Sequence, residues 1–239
     1  MSLINKFFSI SKNLEDKSSS FKSLKKTKAI LQLFSAIESY SENSEVRYVG
    51  GCVRKALNNE VLDDIDLAVN LKPNECIEAL NNNNIKFYET GIKHGTITAI
   101  IDNHKFEITS LRKDLNTDGR HAEVSFSKDW HVDASRRDFT INSIYADING
   151  NLFDPFDGKE DLKNGKINFI GDPEKRIKED YLRILRYIRF FINYSKQPHD
   201  EKVKKLIKKN LIGISNISTE RMLDEFKKII NSPKFLKLF

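Results

Sequence analysis

Apolar residues recur at helical spacing at both ends of this chain and alternate with polar ones in its middle. From Leu24 to Tyr40 the run LKKTKAILQLFSAIESY places Ile30, Leu31, Phe34, Ile37 and Tyr40 three or four apart, which predicts one amphipathic helix. Residues 46–49 and 62–69 read as short strands separated by Gly50-Gly51 and a short helix. Pro73 to Asn84 reads as a helix ending in the turn-forming NNNN. TITAIID and KFEITSLR alternate around Asn103-His104 and predict a hairpin. DGRHAEVSF reads as a loop entering a strand, and Asn149-Gly150 as the turn between two further strands.

Beyond residue 168 the pattern is helical throughout. Asp172-Pro173 is a helix start, with a capping acid and proline in the first position. That helix is expected to run unbroken through EKRIKEDYLRILRYIRFFI, followed by helices in DEKVKKLIKKNL and STERMLDEFKKII. The fold class is therefore α+β: a loosely ordered segment over 1–23, a head with a small mixed sheet and helices over 24–168, and an all-helical part over 169–239. The last residues, FLKLF, hold four large apolar groups, so a partner chain or further sequence is expected to cover that end.

At 39% hydrophobic and 31% charged, the 239 residues describe a water-soluble globular chain, and no apolar run approaches the ~20 residues of a membrane span. Lysine and arginine exceed acids by 40 to 34, a mildly basic balance compatible with a polyanionic partner. Two cysteines make no disulfide framework and suit a reducing cytoplasm.

The chemistry concentrates in YVGGCVRKALNNEVLDDIDLAVN. On a strand Asp64 and Asp66 project to one face, and two carboxylates there repel unless a hard cation such as Mg²⁺ joins them. Gly50-Gly51 permits a tight backbone turn against an anion, and Arg54 is placed for a bidentate phosphate contact. Glu107, on a neighbouring strand, would complete a two-metal site for phosphoryl transfer. Taken alone the stretch fits a second reading equally, a glycine turn before an ordinary helix with DDID as an exposed strand edge.

GGCVRKALNNEVLDDIDLAV resembles the first motif of class II tRNA nucleotidyltransferases and bacterial poly(A) polymerases, members of the polymerase-β-like nucleotidyltransferase superfamily. RRDFTINSI at 136–144 is similar to their ribose-recognition motif, EDYLRILRYIRF at 179–190 to their base-reading helix, and TDGRHAEVSFSKDW at 117–130 to the flexible loop of CCA-adding members. The resemblance implies a nucleotidyltransferase head followed by a helical neck. It further implies that Gly51 and Arg54 bind a triphosphate, that Asp64, Asp66 and Glu107 hold two Mg²⁺ ions, and that Arg137 and Asp138 meet the nucleotide's phosphate and ribose. Asp180 and Arg183, supported by Arg186 and Arg189, would read the base. The implied substrates are ATP, CTP and the 3′ end of tRNA. Poly(A) synthesis, partial CC or A addition, and an inactive nucleotide-binding fragment are the competing readings. Lys55 departs from the family, which has Asp after the motif's Arg.

On the base-reading stretch, 100° steps from Ile177 put Ile177, Tyr181, Ile184, Leu185, Ile188 and Phe191 on an apolar stripe. Asp180 and Arg183 then neighbour each other at i,i+3. A carboxylate accepts from the amino group that cytosine and adenine share, and a guanidinium beside it donates to the neighbouring ring nitrogen; guanine and uracil would leave buried groups unpaired.

Overall fold

The structure, a computed structural model, describes residues 27–62, 64–117, 122–232 and 234–235. The segment 1–23 and the terminal apolar cluster after Phe235 lie outside them, as does residue 63.

The head is built on a seven-stranded mixed sheet in the order β3-β4-β5-β2-β1-β8-β9. Its strands are β1 (Val46–Val49), β2 (Asp66–Val69), β3 (Lys86–Gly91), β4 (Thr96–Ile101), β5 (His104–Ser110), β8 (Tyr145–Ala146) and β9 (Leu152–Phe153). Only β2 and β5 run parallel; the other neighbours are antiparallel. A separate two-stranded ribbon joins β6 (Arg112–Thr117) to β7 (Ala122–Phe126).

Three helices surround the start of this sheet: α1 (Lys28–Glu38), α2 (Gly51–Leu57) and α3 (Pro73–Asn82). Alternation along β4 and β5 sends Ile97, Ala99, Ile101, Phe106 and Ile108 into a core shared with α1 and α3. Phe34 of α1 meets Tyr48 of β1 there, ring centroids 5.0 Å apart. On the other face, among the described residues, Ala134 and Trp130 of α4 (Trp130–Ser135) pack against Val49, Ala68 and Tyr145, over β1, β2 and β8.

Several boundaries differ from the periodicity. The first helix spans Lys28–Glu38 and buries Ala29, Leu33 and Ala36 in addition to Ile30, Phe34 and Ile37, while Leu31 faces water. Small residues widened the apolar stripe beyond what large ones alone indicated. The second strand starts at Asp66, not residue 62, and α3 stops at Asn82 because Asn84 adopts a positive φ of 53°. The β4–β5 turn is centred one residue earlier than expected: Asp102 and Asn103 both take positive φ, the conformation of a tight hairpin.

The helical part contains α5 (Gly158–Asn164), α6 (Pro173–Glu179), α7 (Leu182–Tyr194), α8 (Glu201–Asn210) and α9 (Thr219–Ile230). Asp172 caps α6 as expected, accepting from the Lys175 N–H at 2.7 Å. The helix does not run on into α7. Asp180 is extended at φ −157°, ψ 105°, and its carboxylate accepts from the Leu182 N–H to begin a new helix. Packing is continuous across residue 168: Phe139 and Ile141 share one apolar cluster with Phe169, Ile177, Ile184, Tyr187 and Phe190.

Gly158 sits where α5 crosses the turn at Thr140, and any Cβ there would collide with the Thr140 carbonyl. Gly158→Ala is expected to cost roughly 2 kcal/mol by overpacking, seen as a melting midpoint several degrees lower.

Candidate active site

Gly50 turns the chain from β1 into α2 with φ 68° and ψ −119°, a conformation open to glycine. That turn brings the start of α2 against the start of β2. A Cβ on Gly51 would lie 3.8 Å from the Asp66 Oδ2 and 3.9 Å from an Arg54 Nη. Arg54 is buried; its guanidinium donates to the Asn142 Oδ1 and lies over the rings of Phe190 and Tyr194, 4.7 and 5.1 Å from their centroids. Lys55 supplies no carboxylate to orient Arg54, and Asn142 fills that part.

Asp64 lies ahead of β2, so strand alternation does not place it; both Asp64 and Asp66 nonetheless line one cavity of about 790 Å³. Glu107 faces Asp66 across the parallel β2–β5 pair but does not line that cavity. Burial raises the Asp66 carboxyl above the usual carboxylate range, and the charge of Asp64 raises it further. Glu107 is likewise raised by burial and then by Asp66 and Asp64. Among the described residues no three His, Cys, Asp or Glu side chains are gathered as a metal-ligating set.

The cavity's far wall comes from the segment after α4 and from α7. Asp133, buried, accepts from Arg136 at 2.8 Å, from Arg137 at 3.0 Å and from the Tyr145 hydroxyl at 2.6 Å. Burial alone would raise its carboxyl, but Arg137 and Arg136 outweigh it and hold Asp133 well below the usual range. Asp138 accepts from the Arg186 Nε at 2.6 Å, from the Asn142 amide at 2.9 Å and from the Phe139 N–H at 2.9 Å. Against the opposing effect of burial, Arg186 and these hydrogen bonds bring Asp138 to about 2.

Asp180 and Arg183 both line the cavity, but they are not the i,i+3 ion pair that a continuous helix would make. Because the backbone is extended at Asp180, its carboxylate reaches Arg221 of α9, 2.7 Å away. Arg183 instead meets Glu179 at 2.7 Å. Arg176 donates to the same Glu179 at 2.6 Å and to the carbonyls of Arg136 and Arg137, each at 2.5 Å. Arg189 pairs with the buried Glu225 and covers Phe190 at 4.2 Å.

One cavity thus collects Gly50, Gly51, Arg54, Asp64, Asp66, Arg137, Asp138, Asp180, Arg183, Arg186 and Arg189, every expected site residue except Glu107. Sequence reasoning missed Arg112, Asp114, Asn142 and Lys228 in its lining, and Asp133, Glu179, Arg221 and Glu225 behind it. Asp133 was the traceable one, since it precedes Arg136 and Arg137 by three and four residues on a short helix. Arg221 and Glu225 lie 41 and 36 residues from their partners, and no local pattern joins them.

The two kinds of acid should respond oppositely to pH. Asp66, raised in the fold, costs stability wherever it is ionised, so Asp66→Asn is expected to raise the melting midpoint at pH 7, with the gain fading as pH falls through the raised folded value and gone once pH reaches the ordinary carboxylate value of 3.8. Asp138 is depressed, so its contribution is present above that value and lost as pH falls through about 2. Asp138→Asn should therefore lower stability at pH 7 by roughly 2 kcal/mol. Thermal melts of both variants across pH check the signs.

Residues 46–168 match the family model described as the poly A polymerase head domain, and residues 200–239 match the probable RNA and SrmB-binding site of polymerase A. The mitochondrial CCA tRNA nucleotidyltransferase 1 of Homo sapiens is 47% identical over 206 residues, covering 85% of this chain and 46% of that protein. The crystal structure of the Bacillus stearothermophilus CCA-adding enzyme in complex with CTP superposes with a TM-score of 0.75 at 30% identity, covering 87% of this chain and 49% of the other. A tRNA nucleotidyltransferase complexed with a primer tRNA and an incoming ATP analog aligns with a TM-score of 0.67 at 26% identity, over 86% of this chain and 58% of that one. The chain spans about half the length of the curated relatives it matches. With the head-domain model matched across the whole sheet, the chain belongs to the family of class II tRNA nucleotidyltransferases and poly(A) polymerases.

Proposed function

We propose that this chain adds C and A residues to the 3′ end of tRNA from CTP and ATP, without a template and with release of pyrophosphate. The observation that carries the reading is the single cavity in which a glycine turn, an Asp pair, a cationic wall and an Asp–Arg edge converge from head and neck. Its volume suits a nucleotide, and its lining holds more guanidinium and ammonium groups than carboxylates, as a triphosphate requires.

In the proposed reaction the RNA 3′-hydroxyl attacks the α-phosphorus of the bound triphosphate and the bond to pyrophosphate breaks in line. The Gly50–Gly51 turn leaves the phosphates room against the backbone, while Lys55, Arg112 and Arg137 balance their charge. Asp138 and Asn142 face the ribose. Asp180 accepts from the exocyclic amino group of cytosine or adenine and Arg183 donates to the adjoining ring nitrogen, each held in place from behind by Arg221 and Glu179.

Asp64, Asp66 and Glu107 are the residues that would hold Mg²⁺. Their chemistry fits, since all three are hard oxygen donors, and the neighbouring carboxylate charge that helps raise Asp66 and Glu107 is relieved by a divalent cation. Mg²⁺ takes one or two protein carboxylates together with substrate phosphates, so a preassembled set of three is not required. Bound there, the ion supplies Lewis-acid stabilisation to the attacking hydroxyl and the leaving pyrophosphate.

Two buried free cysteines suit a reducing compartment such as the cytoplasm, and no helix among the described residues is long and apolar enough to cross a membrane. The human relative is a mitochondrial protein by name.

The test is to incubate tRNA lacking its end with labelled CTP and ATP, separately and together, and to count the residues added. Addition of C, C and A supports the proposal, a long A tail reassigns the chain to poly(A) synthesis, and no addition overturns it. Asp66→Ala should reduce addition by roughly 10²–10³-fold while the fold persists. In wild type, Mg²⁺ should raise the melting midpoint, and in Asp66→Ala it should not. Asp180→Asn, whose amide can donate as well as accept, should admit UTP and GTP at least about tenfold more readily relative to CTP and ATP.

A further inference from the structure

The sheet carries a straight row of side chains that leads away from the carboxylates. Strand register places Tyr88 of β3 beside Thr98 of β4, Thr98 beside Glu107 of β5, and Glu107 beside Asp66 of β2. All four point away from the α1 and α3 core, because their neighbours Phe87, Ala99, Phe106, Ile108 and Leu67 pack into it. This is the face on which α4 packs over β1, β2 and β8, and among the described residues Lys86, Tyr88, Lys105 and Glu107 stand exposed on its β3 to β5 side. Tyr88 stands 50% exposed at the outer end of the row. The adjacent row holds Lys86, Ile100 and Lys105, and the Lys86 ammonium lies 5.4 Å from the Tyr88 ring centroid. Hydroxyls fill the floor beside it, with Thr90 and Thr98 bonded at 2.9 Å and Thr96 and Thr109 at 3.2 Å.

We infer that this open strip seats the single-stranded 3′ end of the RNA, with Tyr88 stacking on a base upstream of the reacting nucleotide. The inference rests on the proposed function, since it requires an RNA hydroxyl to arrive at Asp66. Adjacent strands lie about 4.8 Å apart, so Tyr88 is about 14 Å from Asp66 along the row, a span of a few nucleotides. An exposed aromatic ring stacks on any base, hydroxyls suit ribose 2′-hydroxyls, and Lys86 and Lys105 suit the backbone phosphates. The row is continuous with the nucleotide cavity through Asp66, so a strand lying on it delivers its end to the carboxylates without crossing the cationic wall that holds the triphosphate.

The test uses short RNAs with a single-stranded 3′ end carrying 2-aminopurine at each of the last few positions in turn. Wild type should quench the fluorescence at one upstream position. Tyr88→Ala should abolish that quenching and weaken RNA binding about tenfold, with the KM for ATP unchanged, while Tyr88→Phe retains both. Tyr88 is half exposed on an edge strand, so the melting midpoint of Tyr88→Ala should stay near wild type. Lys105→Ala should flatten the salt dependence of binding by about 0.7 in log–log slope. Equal quenching in wild type and Tyr88→Ala, or none at any position, overturns the inference. Wild type that quenches but adds no nucleotide supports the seat and refutes the proposed function; wild type that adds nucleotides without quenching does the reverse.

Discussion

A charge taken out of water must find a hydrogen-bonding partner, most often an opposite charge, and that constraint organises the cavity. Arg137 answers it with Asp133, Arg186 with Asp138, Arg183 with Glu179, Asp180 with Arg221 and Arg189 with Glu225. In four of the five pairs one partner lines the cavity and the other helps to fix its direction, and in the Arg186–Asp138 pair both line it, so the wall is held in place by ion pairs within the protein. Preorganised donors of this kind stabilise developing phosphate charge without first reorganising.

The pairs also tie the head to the neck. Asp138 belongs to the segment after α4 and Arg186 to α7, while Arg176 of α6 grips the two carbonyls just before Asp138. Beneath them Phe139 packs on Phe169 and Phe190, ring centroids 4.7 and 5.5 Å away. Polar and apolar contacts therefore hold the same junction, and the relative position of the head and neck residues that line the cavity follows from it.

Asp66 and Glu107 stand apart from this pattern. Their carboxyls are raised where Asp133 and Asp138 are depressed, because burial and like charge act on them with less compensation. Such a contrast sets Asp66 and Glu107 apart from the charge-paired acids of the wall. Glu107 also begins the open strip toward Tyr88, which links the chemistry of the cavity to the exposed β3 to β5 side of the sheet.

Local spacing by itself determined the head-then-helices order, most of the helices and strands, and the residue types of the cavity, because helix and strand periods, caps and glycine turns act within a few residues; it left out β3, β6, α4 and α5. It misjudged Leu31, which faces water, and the run through Asp180, where a helical pattern continues although the backbone does not. Tertiary structure alone decided that Asp180 turns to Arg221 and Arg183 to Glu179, that Asn142 orients Arg54, and that Glu107 sits beside the cavity instead of in it. Most of those choices join residues far apart in the chain. Which partner a buried charge takes depends on what the folded core brings within a few ångströms, a fact that no periodicity encodes.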